Sequence, residues 1–197
     1  MIRQSLGARL FGYSILMTRI LGIDPGLRIT GYGLVDLPTA SPDSDHPLPC
    51  HAAIDPVLVE AGVIRLDDKA LLDARLVELY QELVAIIAES RPSCLVVENL
   101  YAHYKHPRTA ILMGHARGVI LLAARQHGLA IQHLPATEVK KAITGYGRAS
   151  KQQIQLAIQT QYRLPQPPSP PDVADAIAIA TTYARRIALG ALNPTGA

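Results

Sequence analysis

A chain of 197 residues is long enough to bury a substantial core as a single domain. With 49% hydrophobic and 18% charged residues its composition excludes wholesale disorder, and no apolar run approaches the length of a membrane span. The net charge of +3 allows a polyanion partner only if the basic residues cluster, while Cys50 and Cys94 form neither a C-x-x-C pair nor a secreted framework, which points to a reducing cytoplasm.

Residues 1–16 place Arg3 and Arg9 ahead of a short apolar patch, but Gly12, Tyr13 and Ser14 interrupt it and no cleavage-like site follows. The stretch is therefore not a targeting segment. Met17 reads as the natural start, residues 1–16 as an N-terminal extension, 17–187 as the folded domain and 188–197 as a tail.

Arg19 to Val35, RILGIDPGLRITGYGLV, is the stretch around which the rest is organised. Ile20, Leu21 and Ile23 predict a buried strand that ends in Asp24, and Pro25-Gly26 turns the chain into a second strand, Ile29 to Val35. A buried carboxylate needs a cation or donors beside it, unless Asp24 merely caps its own turn. Gly31 and Gly33 leave room for something to approach the backbone closely.

Pro38, Pro42, Pro47, Pro49 and Pro56 mark residues 37–56 as an inserted loop. A third strand, Val57 to Leu66, completes an antiparallel unit. Leu72, Leu76, Leu79, Leu83, Ile86 and Ile87 then recur at helical spacing until Pro92 stops them, which predicts an amphipathic helix packed on the sheet.

Cys94 to Glu98, CLVVE, repeats the logic of the first strand: an apolar run that delivers an acid at its end. Were the two strands neighbours, Asp24 and Glu98 would face each other, and like charges at that range require a cation. Beyond Glu98, Tyr101 and Tyr104 interleave with His103, Lys105, His106 and Arg108, a pattern suited to stacking on unpaired bases or, alternatively, to an ordinary solvated loop. His103 and His106 lack further ligands at a spacing suited to zinc.

A helix over residues 109–127 carries Gly114 and Gly118 four apart, which bares one face for packing on the sheet or for a symmetric dimer seam. A short strand, Ala130 to Leu134, precedes a helix from Ala136 that carries Lys140 and Lys141. TGYGRASK, residues 144–151, sets Arg148 and Lys151 around a Ser150-x-x-Gln153 capping box, either a phosphate site or a glycine turn with a surface lysine. After PQPPSPP, Asp172 and Asp175 share a face of the first turn of a helix whose remainder is apolar, so that the acids point toward the working face.

Four carboxylates, two at strand ends and two in one helical turn, with lysines and arginines among them, suit a site in which two Mg²⁺ ions about 3.5–4 Å apart promote phosphodiester hydrolysis. Oxygen-only ligands favour Mg²⁺ or Mn²⁺ over Zn²⁺.

The markers ILGIDPGLRITGYG, VVEN, GHARGV, KKAITGYGRASK and DVADAIAIA occur in the order found in RuvC-type Holliday junction resolvases, and from Met17 to Arg186 the chain resembles that family of the RNase H-like nuclease superfamily. The resemblance implies an α/β fold with a five-stranded mixed sheet, three strands antiparallel and two parallel, flanked by helices. It further implies a homodimer that cuts two opposed strands of four-way junction DNA, with two Mg²⁺ per subunit, and the branch-migration complex RuvA/RuvB as a partner. By position, Asp24, Glu98, Asp172 and Asp175 match the catalytic, metal-holding acids. Tyr101 matches an aromatic that wedges into the junction, and Lys140 and Lys151 match basic positions near the cut strand. Lys141 and Arg148 join the DNA contacts on charge alone, and Gly114 and Gly118 match the dimer seam. The rivals are an RNase H-like nuclease of ribosomal RNA processing, an actin-like ATPase, for which 197 residues are too few, and a non-catalytic junction-binding module, against which the complete acid set argues.

Overall fold

The computed structural model describes residues 2–3, 15–40, 55–99 and 107–190. Strands β1 (Ile2–Arg3), β2 (Ile15–Asp24), β3 (Ile29–Ala40) and β4 (Val57–Arg65) are followed by helix α1 (Leu72–Ser90), strand β5 (Cys94–Glu98), helix α2 (Pro107–Gln126) and strand β6 (Ala130–Leu134). Helices α3 (Ala136–Thr144), α4 (Lys151–Tyr162) and α5 (Pro171–Ala188) complete the described chain. The sheet order is β1-β4-β3-β2-β5-β6. β2, β3 and β4 pair antiparallel, while β5 joins β2 and β6 joins β5 in parallel. This is the expected mixed sheet of three antiparallel and two parallel strands, with the two-residue β1 added at the edge, where Ile2 faces Ala61 and Arg3 faces Glu60.

Helices cover both faces, which is why the central strands read as continuous apolar runs rather than as alternation. Ile20, Val35, Leu58, Cys94 and Val96 point into one core, shared with α4 and α5. Leu21, Ile23, Leu34, Leu95 and Val97 point into a second, under α1 and α2. Leu79, Leu83 and Ile87 are the buried stripe of α1, and the helix ends at Arg91 in the left-handed region (φ 49°), immediately before Pro92.

A track of glycines explains how α5 lies on the sheet. Gly22 and Gly33 are opposite each other in the β2–β3 register, and Gly31 is opposite Asp24. A Cβ on Gly33 would come within 2.9 Å of the Ile177 Cα, and one on Gly22 within 2.7 Å of the Ala180 nitrogen. One on Gly31 would run into the main chain of Asp172. The strand glycines thus admit the backbone of α5 against β2 and β3, where Val173, Ala176, Ile177, Ala180 and Tyr183 are buried.

Two boundaries differ from the sequence reading. β3 runs on to Ala40, so residues 37–40 are strand rather than loop, with Leu37 buried and paired with Thr18. Proline at position 38 is tolerated there because β4 pairs with β3 only as far as Asp36, and a missing N–H costs little where the strand has one neighbour. β2 begins at Ile15 and β1 occupies residues 2–3, so part of the stretch read as an extension takes part in the sheet. Most of the inserted loop, residues 41–54, and most of the tail, residues 191–197, lie outside the described residues.

Candidate active site

Because β2 and β5 are parallel neighbours, with Ile23 beside Val97, their carboxyl ends bring Asp24 and Glu98 to the same edge of the sheet. The carboxyl edge of parallel strands is where such sheets open a crevice. The third contribution comes from α5. The seat of Asp172 on Gly31, opposite Asp24, brings the first turn of the helix, and with it Asp175, to the acids at the strand ends.

Asp24, Glu98 and Asp175 line a cavity of about 210 Å³ together with Lys140, Lys151 and the apolar floor of Val139 and Ile154. Asp172 faces a second, larger groove of about 910 Å³ on the α1–α2 side of the sheet, which also has Asp24 and Lys151 in its wall. Asp24 and Lys151 thus stand between the two spaces. Lys151 opens α4, where the Ser150 hydroxyl accepts from the Gln153 N–H and the Gln153 side chain accepts from the Ser150 N–H, and its Nζ lies 3.5 Å from Asp175 Oδ2.

The electrostatics are those of crowded acids. Burial pushes the Asp24 carboxyl up to about 8, helped by the charges of Asp175, Glu98 and Asp172 and opposed by Lys151. Glu98 is raised by burial and by Asp175, against Lys140, Lys151 and Arg117. Asp175 is raised by burial, against the charge and hydrogen bond of Lys151. Burial works against the Lys151 ammonium, but Asp175, Asp172 and Asp24 outweigh it and hold its pKa above the ordinary value. Among the described residues no three His, Cys, Asp or Glu side chains are already gathered as a metal cage. The acids converge instead on the two adjoining spaces, and their donors are carboxylate oxygens alone, the set that suits a hard divalent cation.

The remaining expected residues divide. Lys140 lines the smaller cavity, whereas Lys141 and Arg148 are exposed and line neither space. Tyr101 lies outside the described residues, as do His103 and His106. Gly114 and Gly118 have nothing within 4 Å of a would-be Cβ, and it is Ala116, Ile120, Ala123 and Ala124 of α2 that enter the core. The glycine face is therefore not the one that packs on the sheet.

Arg117 escaped the sequence reading. Its guanidinium donates to the Glu98 carbonyl oxygen and lies 2.6 Å from His133 Nδ1, bracing the end of β5 against α2 and β6. The signal was a lone charge inside an otherwise apolar helical stretch, between Ala116 and Gly118. Arg28, Arg65 and Arg75 of the larger groove were also missed, and they come from a turn, a strand end and a helix that no local pattern links.

A family profile described as crossover junction endodeoxyribonuclease RuvC matches residues 20–183. A crossover junction endodeoxyribonuclease RuvC of Rhodopirellula baltica is 46% identical over 160 residues, which span 81% of this chain and 82% of that protein. One of Desulforamulus reducens is 40% identical over 166 residues, 84% of this chain and 93% of that protein. Among solved structures, Thermus thermophilus RuvC in complex with a Holliday junction substrate superposes with a TM-score of 0.72 at 25% identity, covering 88% of this chain and 96% of that one. The yeast mitochondrial Holliday junction resolvase Ydc2 shares the fold, with a TM-score of 0.58 at 15% identity over 88% of this chain and 81% of that one. With the profile spanning most of the described domain and relatives of this identity along nearly their whole length, the chain belongs to the RuvC family of crossover junction endodeoxyribonucleases.

Proposed function

We infer that the chain resolves four-way DNA junctions by divalent-metal-dependent hydrolysis of two opposed strands, leaving 5′-phosphate ends. The observation that carries the chemistry is the convergence of Asp24, Glu98 and Asp175 with Lys140 and Lys151 on one small cavity, with Asp172 beside it. Family membership supports a junction as the substrate and sets aside the ribosomal RNA reading.

Asp24, Glu98, Asp172 and Asp175 are the residues that would hold the metal, two Mg²⁺ per subunit with Mn²⁺ as a substitute. When bound, the cations supply Lewis acidity toward the attacking water and the leaving oxygen. Asp172 and Asp175 orient the water from the first turn of α5. Lys151, ion-paired with Asp175, and Lys140, beside Glu98, carry the positive charge that meets the scissile phosphate. Lys141 and Arg148 contact phosphates farther out, and Tyr101 wedges into the open centre of the junction.

Two cuts placed symmetrically call for two sites related by a two-fold axis. Support for a homodimer comes from α2, where Gly114 and Gly118 share the helix with Ile111 and Leu122, 62% and 54% exposed. The branch-migration complex RuvA/RuvB is the partner this reading assigns to the chain, in the cytoplasm. No helix among the described residues is long and apolar enough to cross a membrane.

The test is a gel assay on a synthetic four-way junction beside a linear duplex of the same sequence, with Mg²⁺ and with EDTA. Paired nicks in the junction alone, and only with metal, are expected. Binding without nicks, or equal cutting of the duplex, would overturn the reading.

A further inference from the structure

The larger groove differs in kind from the acid cavity. Asp24, Asp172 and Lys151 are in its wall, and three arginines, Arg28, Arg65 and Arg75, line it from the β2–β3 turn, the end of β4 and the first turn of α1. Arg28 is paired with Asp68 through a 2.6 Å contact in which both side chains are largely exposed. Among the described residues neither Arg65 nor Arg75 has a carboxylate partner, and the Nε of Arg75 is buried without any hydrogen-bond partner. A buried guanidinium donor left unpaired within the protein calls for a partner, which an ordered water or a bound ligand supplies. Thr109, Leu112 and Met113, from the first two turns of α2, form another wall, and that first turn carries no acid to oppose a phosphate.

The position of the groove decides what it fits. It lies on the α1–α2 side of the sheet, whereas Lys140 and the smaller cavity lie on the α3–α5 side, and Asp24 and Lys151 border both. A strand whose scissile phosphate rests at the acids must therefore leave the site on both sides of the sheet edge. We propose that the groove holds the backbone of the cut DNA strand on the side away from Lys140, with Arg65 and Arg75 as phosphate ligands and Arg28 recruited from Asp68 as the third. Planar guanidiniums suit bidentate contact with phosphate, and the apolar side chains of Leu27, Leu66 and Leu112 in the same walls suit the sugars between phosphates. The substrate is thus gripped by two tracks of different chemistry, Lys140 on one side of the cut and arginines on the other, with Lys151 between them.

This inference rests on the junction-resolving function. Its test measures binding of the full-length protein to a fluorescent four-way junction in EDTA across a series of salt concentrations, for wild type, Arg65→Ala, Arg75→Gln and Asp68→Asn. Each phosphate contact contributes about 0.9 to the slope of log affinity against log salt. Arg65→Ala, at an exposed position whose side chain has no carboxylate partner among the described residues, should shallow that slope by about 0.9, weaken binding several-fold, and leave the melting temperature unchanged. Arg75→Gln should shallow it likewise, and Asp68→Asn should tighten binding by freeing Arg28. Neutral methylphosphonates placed one to three nucleotides from the cut, on each side in turn, should weaken wild type and leave Arg65→Ala indifferent on one side only. If wild type binds and cuts the junction while the arginine variants keep its slope and its methylphosphonate response, the groove is not a strand track. If wild type does not bind the junction at all, the function reading fails and the groove proposal with it.

Discussion

Replacing Asp24 by asparagine separates the catalytic demand on the site from its cost to the fold. The Asp24 carboxyl is held at about 8 in the folded protein, against 3.8 for the free side chain, chiefly by burial and then by Asp175, Glu98 and Asp172. A folded pKa above the unfolded one means that the stability this group contributes is fully present below pH 3.8 and is lost as the pH rises through about 8. At pH 7 the linkage amounts to a ceiling of about 4 kcal/mol of destabilisation, at about 1.36 kcal/mol for each tenfold change. Side-chain relaxation takes part of that, so Asp24→Asn should stabilise the metal-free protein by about 1–4 kcal/mol at pH 7. For a domain of this size that corresponds to a rise of about 2–4 °C in Tm per kcal/mol. The assay is thermal unfolding in EDTA at pH 4, 7 and 8.5, with the gap between variant and wild type nearly closed at pH 4 and widest at pH 8.5. Junction cleavage should be abolished in Mg²⁺ while junction binding is kept or tightened, because one negative charge facing the phosphates is gone. A variant less stable than wild type at pH 7, or a gap that does not grow with pH, would refute the reasoning and make Asp24 a structural residue.

Glu98→Gln should lower junction cleavage by about 10²-fold or more, as for loss of a charge-stabilising group in the transition state, while gel-shift affinity for the junction stays within about twofold of wild type. Gly33→Ala drives a methyl to within 2.9 Å of the Ile177 main chain, so it should cost about 1–3 kcal/mol in urea unfolding and, by lifting Asp172 and Asp175 from the acids on the sheet, cost activity more steeply than stability. Ile111→Lys combined with Leu122→Lys puts charge on the exposed face of α2; light scattering should find the protein monomeric, with Tm little changed and paired nicks replaced by single ones. A variant that still dimerises would refute α2 as the proposed seam.

Much of the fold was legible because its signals are local. Strands ending in Asp24 and Glu98, the leucine stripe of α1 and the Ser150–Gln153 capping box each declare themselves within a few residues, and each stands where the residues predict. What was not legible depends on partners distant in sequence. Pro38 reads as a loop residue until β4 is seen to stop short of it. Gly31 and Gly33 announced a close approach without naming what approaches, and Gly22, the third member of the track, gave no signal until its pairing with Gly33 was visible. Arg117 is marked only as a charge in an apolar helix, and its two acceptors, on β5 and β6, sit 19 and 16 residues away. The arginine groove is assembled from three separated segments, so no spacing rule finds it.

The glycine track and the acids are one design problem seen from two sides. Carboxylates that crowd one another oppose the fold that gathers them, so they persist only on a scaffold held in place by something else. Here that scaffold is α5, with twelve buried residues and its backbone seated on β2 and β3 where Gly22, Gly31 and Gly33 leave room for it. A helix seated on glycine cannot slide or lift without losing core contacts along most of its length, so the positions of Asp172 and Asp175 relative to Asp24 are set by packing rather than by the acids themselves. The same argument applies to Glu98, whose strand end is pinned by Arg117 and by the Asn99 N–H donating to the Leu134 carbonyl oxygen. Substitutions that relax the acids should therefore stabilise this protein while silencing it, and substitutions at Gly22, Gly31 or Gly33 should do harm on both counts.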